Sequence, residues 1–392
     1  MEVPEGIKNA LELRKTKVCK LTKSLYGLRV SPKRWNVKFT ETAKQIGLES
    51  DIIDPCLFVW RKENKFIFLI LYVDDMLLAG NDQIKLQEII KSLSDNFKIT
   101  NLGEPKEFLG IEIKRDRVNH KMFLSQECYI KKILERFRMS DCKPVATPMV
   151  TRHMKSKTIS KESEKETGEK KYPYREAVGS LLYLAGGTRP DISYAVNMVS
   201  RNSQNPSEED WKEIKRIFRY IRGTSNLGLT FNGNNDKLVG FSDASYADSS
   251  DKTSTSGYII KLFTDTVNWR CWKQKCVTTS TCEAEYVAMS ELSKECMATK
   301  YIANRILNNK FTEILIFGDN KPSIDSTEKS GTPNLRHVSI RYHHIKQCID
   351  KGEITVKWIS NEYQIADIFT KPLAQDKIEK LREQILNQAI IS

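Results

Sequence analysis

The sequence has 392 residues, enough for two or three domains that each bury a hydrophobic core. Its 63 Lys and Arg residues outnumber 50 Asp and Glu residues, and the resulting net charge of +13 favours polyanionic partners, with nucleic acid first among them. No apolar run reaches the ~18 residues of a membrane-spanning helix, which excludes a transmembrane protein, and the first residues lack the apolar segment of a secretion signal. The nine cysteines form no regular framework, so we expect a reducing compartment; zinc ligation is the weaker alternative.

Residues 1–150 combine helical and strand patterns. A helix is predicted over residues 32–46, and two strands around a turn are predicted over residues 65–79. Apolar residues at i, i+3 and i+4 spacing predict an amphipathic helix over residues 126–137. Residues 151–171 are charged and small polar residues with little to bury, which predicts a solvated linker.

The region after the linker, residues 172–231, is predicted to be largely helical. Its second helix, over residues 208–222, has one strongly basic flank that includes Lys215, Arg219 and Arg222. This flank is predicted to contact the backbone of a nucleic acid. A solvated helix face remains the alternative.

From residue 237 the pattern changes to three short strands, followed by alternating helices and strands. The helix is predicted over residues 281–307, and later strands over residues 313–317 and 354–359. This order predicts a mixed sheet flanked by helices. The whole chain is therefore predicted to be a multidomain protein of α/β and α+β class.

Two aspartates, Asp74 and Asp75, stand at the joint of the predicted hairpin over residues 65–79. Adjacent carboxylates repel each other unless a cation neutralises them, and Mg²⁺ prefers such oxygen ligands. The pair is therefore a candidate metal site, with an exposed turn of two solvated acids as the alternative.

Four further acids are candidate ligands in the last third of the chain. Asp243 and Asp319 alternate with apolar residues of predicted strands, and Glu285 lies on the small, apolar face of the helix predicted over residues 281–307. Glu283 lies on another side of that helix, where we expect it to be solvated. Asp367 is predicted in a short helix, where pairing with Lys371 is the alternative to metal binding.

Several ordered motifs resemble copia-type retrotransposon Pol polyproteins. They are LYGLRVSPKRW at residues 25–35, YVDD at 72–75, FLGIEI at 108–113, VGSLLYL at 178–184 and TRPDI at 188–192. The resemblance implies a reverse transcriptase in which Asp74 and Asp75 bind metal with a third carboxylate, expected in a segment upstream of Met1. Val30 also stands where the family usually has Gln. We therefore expect no DNA polymerisation by this chain alone.

Downstream motifs resemble the RNase H domain of the same family. They are FSDA at residues 241–244, STCEAEY at 280–286, GDN at 318–320 and ADIFTKPL at 366–373. The resemblance implies that Asp243, Glu285, Asp319 and Asp367 hold two Mg²⁺ ions, with Mn²⁺ as the alternative metal, and that the RNA strand of an RNA–DNA hybrid is hydrolysed.

The resemblance also implies a domain order. A partial reverse transcriptase, with the palm hairpin and the start of the thumb, covers residues 1–150, and a helical thumb or connection region covers 172–231. An RNase H-like domain covers 232–373 and a helical tail 374–392. The implied partners are RNA–DNA hybrid, RNA template, DNA and the rest of Pol, in the cytoplasm within a virus-like particle or in the nucleus. The alternative function is a decayed element that binds nucleic acid without catalysis.

Overall fold

The computed structural model of the chain describes residues 1–151, 172–307, 311–328 and 339–387. The chain divides into two compact units, Met1–Pro105 (unit 1) and Lys106–Ser392 (unit 2), and each is described by itself. The predicted linker lies outside the described residues, except for Thr151. In the part of the chain that the structure describes, no helix is both long enough and apolar enough to cross a membrane.

Unit 1 is built on an antiparallel sheet with the strand order β1-β2-β3-β4. Ile67, Leu69 and Leu71 alternate along β3, and all three are buried beneath α2 and α3, whereas Ile70 between them is 42% exposed. This period of two confirms the predicted hairpin and shows which sheet face the helices cover. In chain order the elements are α1 (Ala10–Thr16), α2 (Ser31–Gln45), β1 (Glu49–Ser50), β2 (Leu57–Lys62), β3 (Lys65–Tyr72), β4 (Asp75–Gly80) and α3 (Gln83–Asn96).

The first part of unit 2 contains a second antiparallel sheet and a group of helices. The sheet has the order β5-β6-β7-β8, so its last strand comes from a segment about a hundred residues after β7. The helices share one apolar core, and the predicted amphipathic helix over residues 126–137 is confirmed as α4. The elements are β5 (Glu107–Phe108), β6 (Ile111–Asp116), β7 (Lys121–Ser125), α4 (Glu127–Arg136), α5 (Tyr174–Gly187), α6 (Ser193–Ser200), α7 (Glu208–Gly223) and β8 (Gly228–Phe231).

The remainder of unit 2 is a five-stranded mixed sheet with the order β11-β10-β9-β12-β13. Strand β9 pairs antiparallel with β10 and parallel with β12, which confirms the predicted mixed sheet flanked by helices. Helix α11, in the predicted tail, buries Ile378, Leu381 and Ile385 in a core that it shares with this sheet. The elements are β9 (Leu238–Ser245), β10 (Thr255–Leu262), β11 (Asp265–Lys273), α8 (Thr281–Leu307), β12 (Ile314–Gly318), α9 (Lys321–Glu328), α10 (Ser339–Asp350), β13 (Ile354–Trp358) and α11 (Gln375–Leu386).

Candidate metal centre

Three carboxylates from separate elements meet at one end of the mixed sheet. Asp243 on β9, Glu285 on α8 and Asp319 after β12 each offer an oxygen, and these oxygens all lie within 4.8 Å of one another. Asp243 and Glu285 are buried, and Asp319 is half-buried. Such a set of hard oxygen donors matches the preference of Mg²⁺ or Mn²⁺.

Strand register brings Asp243 and Asp319 together. Phe241 and Phe317 are partners across the parallel pair β9 and β12, and their rings stack with centroids 5.2 Å apart. Each aspartate lies two residues further along its own strand direction, on the same side as its phenylalanine. The alternation of apolar and acidic residues along each strand therefore places both aspartates on the same face, at the same end of the two strands.

Glu285 lies beside the two aspartates because α8 packs closely against β9. A Cβ on Gly240 would lie 2.8 Å from Leu292 Cδ1 and 2.9 Å from Cys296 Sγ, so any larger residue would force these side chains to shift. The backbone N–H of Ala244 donates to Glu285 Oε1 at 3.2 Å, which fixes the carboxylate beside Asp243.

Glu283 differs from its predicted solvated state. It is only 3% exposed, and its Oε2 accepts a hydrogen bond from Thr279 Oγ1 at 2.8 Å. Its own N–H donates to Ser280 Oγ at 3.2 Å. Glu283 therefore satisfies donors at the N-terminus of α8, and the expectation from helix periodicity is wrong because it took no account of this cap.

The three carboxylates disfavour one another's ionisation. Burial, followed by the charges of Asp243 and Asp319, raises the pKa of Glu285 well above its usual range. Burial and the charge of Asp243 raise the pKa of Asp319 to about 6. Burial also raises the pKa of Asp243, although Lys371 opposes that shift. A divalent cation among them would relieve this repulsion.

The fourth predicted ligand, Asp367, is held by two ammonium groups. It lies in a 3-10 helix, Ile365–Phe369, and is 1% exposed. Its Oδ1 accepts from Lys371 Nζ at 2.6 Å, and its Oδ2 accepts from Lys377 Nζ. Lys371 Nζ also lies 3.3 Å from Asp243 Oδ1. The alternative predicted for Asp367, pairing with Lys371, is thus present in the structure. The i,i+4 spacing of the two residues indicated this pair in the sequence. No comparable spacing indicated the contact with Lys377.

A second glycine lets the segment with Asp367 approach the sheet. Gly257 on β10 is the register partner of Asp243, and a Cβ there would lie 2.4 Å from Phe369 Cβ. Gln364 Nε2 donates to the carbonyl of Ser242 at 3.0 Å, and Thr370 Oγ1 donates to Asp243 Oδ2. These contacts fix the 3-10 helix directly beside the strand that carries Asp243.

In unit 1, Asp74 lies in an exposed two-residue turn, and Asp75 is the exposed first residue of β4. Tyr72 pairs with Asp75, so Val73 and Asp74 are the two turn residues, and Val73 has a φ of 52°, which is strained for a β-branched side chain. Tyr26 donates its hydroxyl to Asp74 Oδ2. Among the residues that the structure describes, this pair belongs to no group of three potential ligands as close as the one in unit 2.

Two of the three predicted nucleic-acid-binding residues contact the protein's own backbone. Arg219 Nε donates to the carbonyl of Lys143 at 2.7 Å, and Arg222 Nη1 donates to the carbonyl of Cys142. Both side chains are half-buried, whereas Lys215 on the same helix is exposed. The basic flank of α7 therefore anchors the segment that follows α4, in addition to any contact with phosphates.

The chain is similar in sequence to proteins of transposable elements. The family described as "Reverse transcriptase (RNA-dependent DNA polymerase)" matches residues 1–151. The "Retrovirus-related Pol polyprotein from transposon TNT 1-94" of Nicotiana tabacum is 39% identical over 98% of this chain, which spans only 29% of that protein's length. The "Putative transposon Ty5-1 protein" of Saccharomyces cerevisiae is 30% identical over 71% of this chain and 89% of that protein.

Among solved structures, LC11-RNase H1 in complex with an RNA/DNA hybrid matches 37% of this chain and 98% of its own, with a TM-score of 0.27 and 16% identity.

Proposed function

Because the chain belongs to the copia-type retrotransposon Pol family, we propose that unit 2 hydrolyses the RNA strand of RNA–DNA hybrids with a divalent metal ion. The supporting observation is the meeting of Asp243, Glu285 and Asp319 within 4.8 Å. The proposed RNase H-like domain extends from about residue 232 to 373. The preceding helices would serve as the thumb or connection region, and unit 1 as part of the polymerase palm.

We assign two roles to the residues of this region: some would hold the metal ion, and others would bind the phosphates of the substrate. Asp243, Glu285 and Asp319 would hold the ion, which when bound would supply an activated water and stabilise the leaving 3′-oxygen. Asp319 is the half-buried member, so we propose that a phosphate approaches the centre next to it. Lys and Arg side chains would grip the hybrid through its phosphates, and contacts to 2′-hydroxyls would distinguish RNA from DNA.

The test uses the full chain and a hybrid labelled in its RNA strand, with Mg²⁺ or Mn²⁺. Asp319→Asn should lower cleavage by roughly 100-fold or more, since even partners of metal ligands cost roughly 10- to 100-fold. The substitution removes a charge and little volume, so the fold should persist. Asp95→Asn on an exposed face of α3 is the matched control and should cleave normally. A folded wild type that binds hybrid and does not cleave it supports the alternative of a non-catalytic nucleic-acid-binding relic.

We propose that the full chain does not polymerise DNA by itself. Nucleotidyl transfer needs two metals held in a fixed geometry, and Asp74 and Asp75 provide only part of such a cage at an exposed turn. Primer extension on poly(rA)–oligo(dT) should therefore be undetectable. Robust extension that is lost on Asp74→Asn would contradict the proposal.

A further inference from the structure

Among the residues that the structure describes, Lys371 is the positively charged group that contacts two of the four ligands predicted at this centre. Its Nζ lies 2.6 Å from Asp367 Oδ1 and 3.3 Å from Asp243 Oδ1. Both carboxylates are essentially buried, while the lysine side chain is 39% exposed. The ammonium group therefore enters the cluster from the solvent side and interacts with a carboxylate that also belongs to the close triad.

Both oxygens of the fourth carboxylate, Asp367, accept hydrogen bonds from lysine side chains. Each oxygen of Asp367 accepts from a different ammonium group, Lys371 at Oδ1 and Lys377 at Oδ2. A metal ion ligated by Asp367 would therefore lie close to two ammonium groups of like charge, which opposes its binding there. Asp243 differs, because its Oδ2 accepts only the neutral hydroxyl of Thr370 while its Oδ1 faces Lys371.

We propose that Lys371 is a resident cation of this centre, which competes with the divalent metal for Asp243 and Asp367 and thereby sets the metal affinity. This inference rests on the proposed function, because it takes the triad as the metal site. In the metal-free protein Lys371 offsets the repulsion between the buried carboxylates. When the metal binds, the two cations repel each other, and Lys371 must move away from Asp243 or lower the affinity.

The experiment measures binding of MnCl₂ to the full chain by titration calorimetry, without substrate. Lys371→Met keeps the length of the side chain and removes its charge. A neighbouring unit charge changes the protonation equilibrium of a carboxylate by roughly 10- to 1000-fold, so the Mn²⁺ dissociation constant of this variant should fall at least about 10-fold. Lys371→Arg retains the charge and should keep the affinity of the wild type.

Lys380→Met is the matched control from the same region. Lys380 is 52% exposed and its ion pair, at 3.5 Å, is with Glu362, which is not a predicted ligand, so its loss should leave Mn²⁺ affinity unchanged. Circular dichroism establishes that each variant is folded. Thermal melting in a chelator gives a second readout: Lys371→Met should melt below the wild type, and Mn²⁺ should restore more stability to it than to the wild type.

The outcomes separate this inference from the proposed function. If wild type binds Mn²⁺, Asp319→Asn does not, and Lys371→Met binds no more tightly, then Lys371 is only a structural ion-pair partner and the inference is overturned. If neither the wild type nor Lys371→Met binds Mn²⁺, the proposed function fails and the inference fails with it. Tighter Mn²⁺ binding by Lys371→Met, together with unchanged binding by Lys371→Arg, supports the inference. If Lys371 had only a structural role, the Lys371→Met substitution would weaken metal binding.

Discussion

Asp191 keeps a negative charge in the interior of unit 2 because strong donors surround its carboxylate. Arg189 donates from Nε at 2.9 Å and from Nη2 at 2.8 Å, and Tyr220 donates its hydroxyl at 2.7 Å. Burial opposes ionisation of Asp191, but the charge and hydrogen bonds of Arg189 outweigh it and lower the pKa. The resulting stabilisation is complete above the unfolded pKa of about 3.9 and is lost as pH falls through the lower folded pKa.

Asp191→Asn should lower the free energy of unfolding by about 3–5 kcal/mol at neutral pH, because it leaves the buried charge of Arg189 uncompensated. Urea denaturation measures this difference. The difference in unfolding free energy between wild type and variant should begin to narrow below about pH 4, where the carboxylate of the unfolded wild type takes up its proton, and should narrow further as the pH falls through the lower folded pKa. The exposed Asp95→Asn should change stability by less than about 0.5 kcal/mol. A gap that stays constant from neutral pH into strong acid would show that the charge of Asp191 is not its source.

Helix α7 anchors a neighbouring segment through the same basic flank that is predicted to bind nucleic acid. Its three predicted binding residues differ in their surroundings, since Arg219 and Arg222 donate to backbone carbonyls and Lys215 is exposed. A Cβ on Gly223 at the end of this helix would lie 2.9 Å from Pro144 Cβ, so the same segment also packs closely against α7. Loss of the arginines should therefore affect folding as well as binding.

Lys215→Ala should reduce the slope of log affinity against log salt by about 0.9 on B-form DNA, as expected for the loss of one phosphate contact, without changing the melting temperature. Fluorescence anisotropy over a range of salt concentrations measures the slope. Lys212→Ala is the matched control, because Glu209 already pairs with that lysine at 2.7 Å.

Arg219→Ala should lower the melting temperature as well, since hydrogen bonds from charged groups contribute roughly 1.5–3 kcal/mol. An unchanged slope for Lys215→Ala would identify the exposed flank of α7 as a solvated face.

The elements of this chain could largely be predicted from periodicity, while the contacts between distant elements could not. Alternation of Phe241 with Asp243 correctly indicated which side of β9 the acid occupies. The surroundings of Asp367 depend on how closely the 3-10 helix approaches β10 at Gly257, and no local pattern encodes that distance. Helix periodicity also could not predict that Glu283 turns back to cap its own helix.

At the scale of unit 2, segments on either side of residues 152–171 are joined by direct contacts. Strand β7 pairs with β8 through Ser125 and Gly228, and Phe137, which directly follows α4, stacks on Phe218 of α7 with centroids 5.0 Å apart. The core of the helices α4–α7 likewise draws on both segments. These contacts therefore hold the two segments together in addition to the covalent chain between them.

Separate chains of residues 1–151 and 172–392 should consequently associate when they are expressed together. Affinity purification through a tag on the first chain measures the recovery of the second. Phe137→Ala should reduce that recovery because it removes the stacked ring, whereas Leu102→Ala, at a position 89% exposed, should not. Soluble, folded chains that fail to copurify would show that these contacts cannot hold the unit together without the intervening residues.

A glycine codon turns into a codon for a bulkier residue, or a stop, on any change of its first or second base. At Gly257 each missense change of this kind introduces a Cβ 2.4 Å from Phe369 Cβ, closer than folded chains tolerate. The segment with Asp367 and Lys371 would then be forced away from Asp243. A substitution at Gly257 in a genomic copy would therefore disturb the arrangement of the four acidic residues although their own codons remain intact, and Gly257 should be read together with them when copies are sorted into intact and decayed.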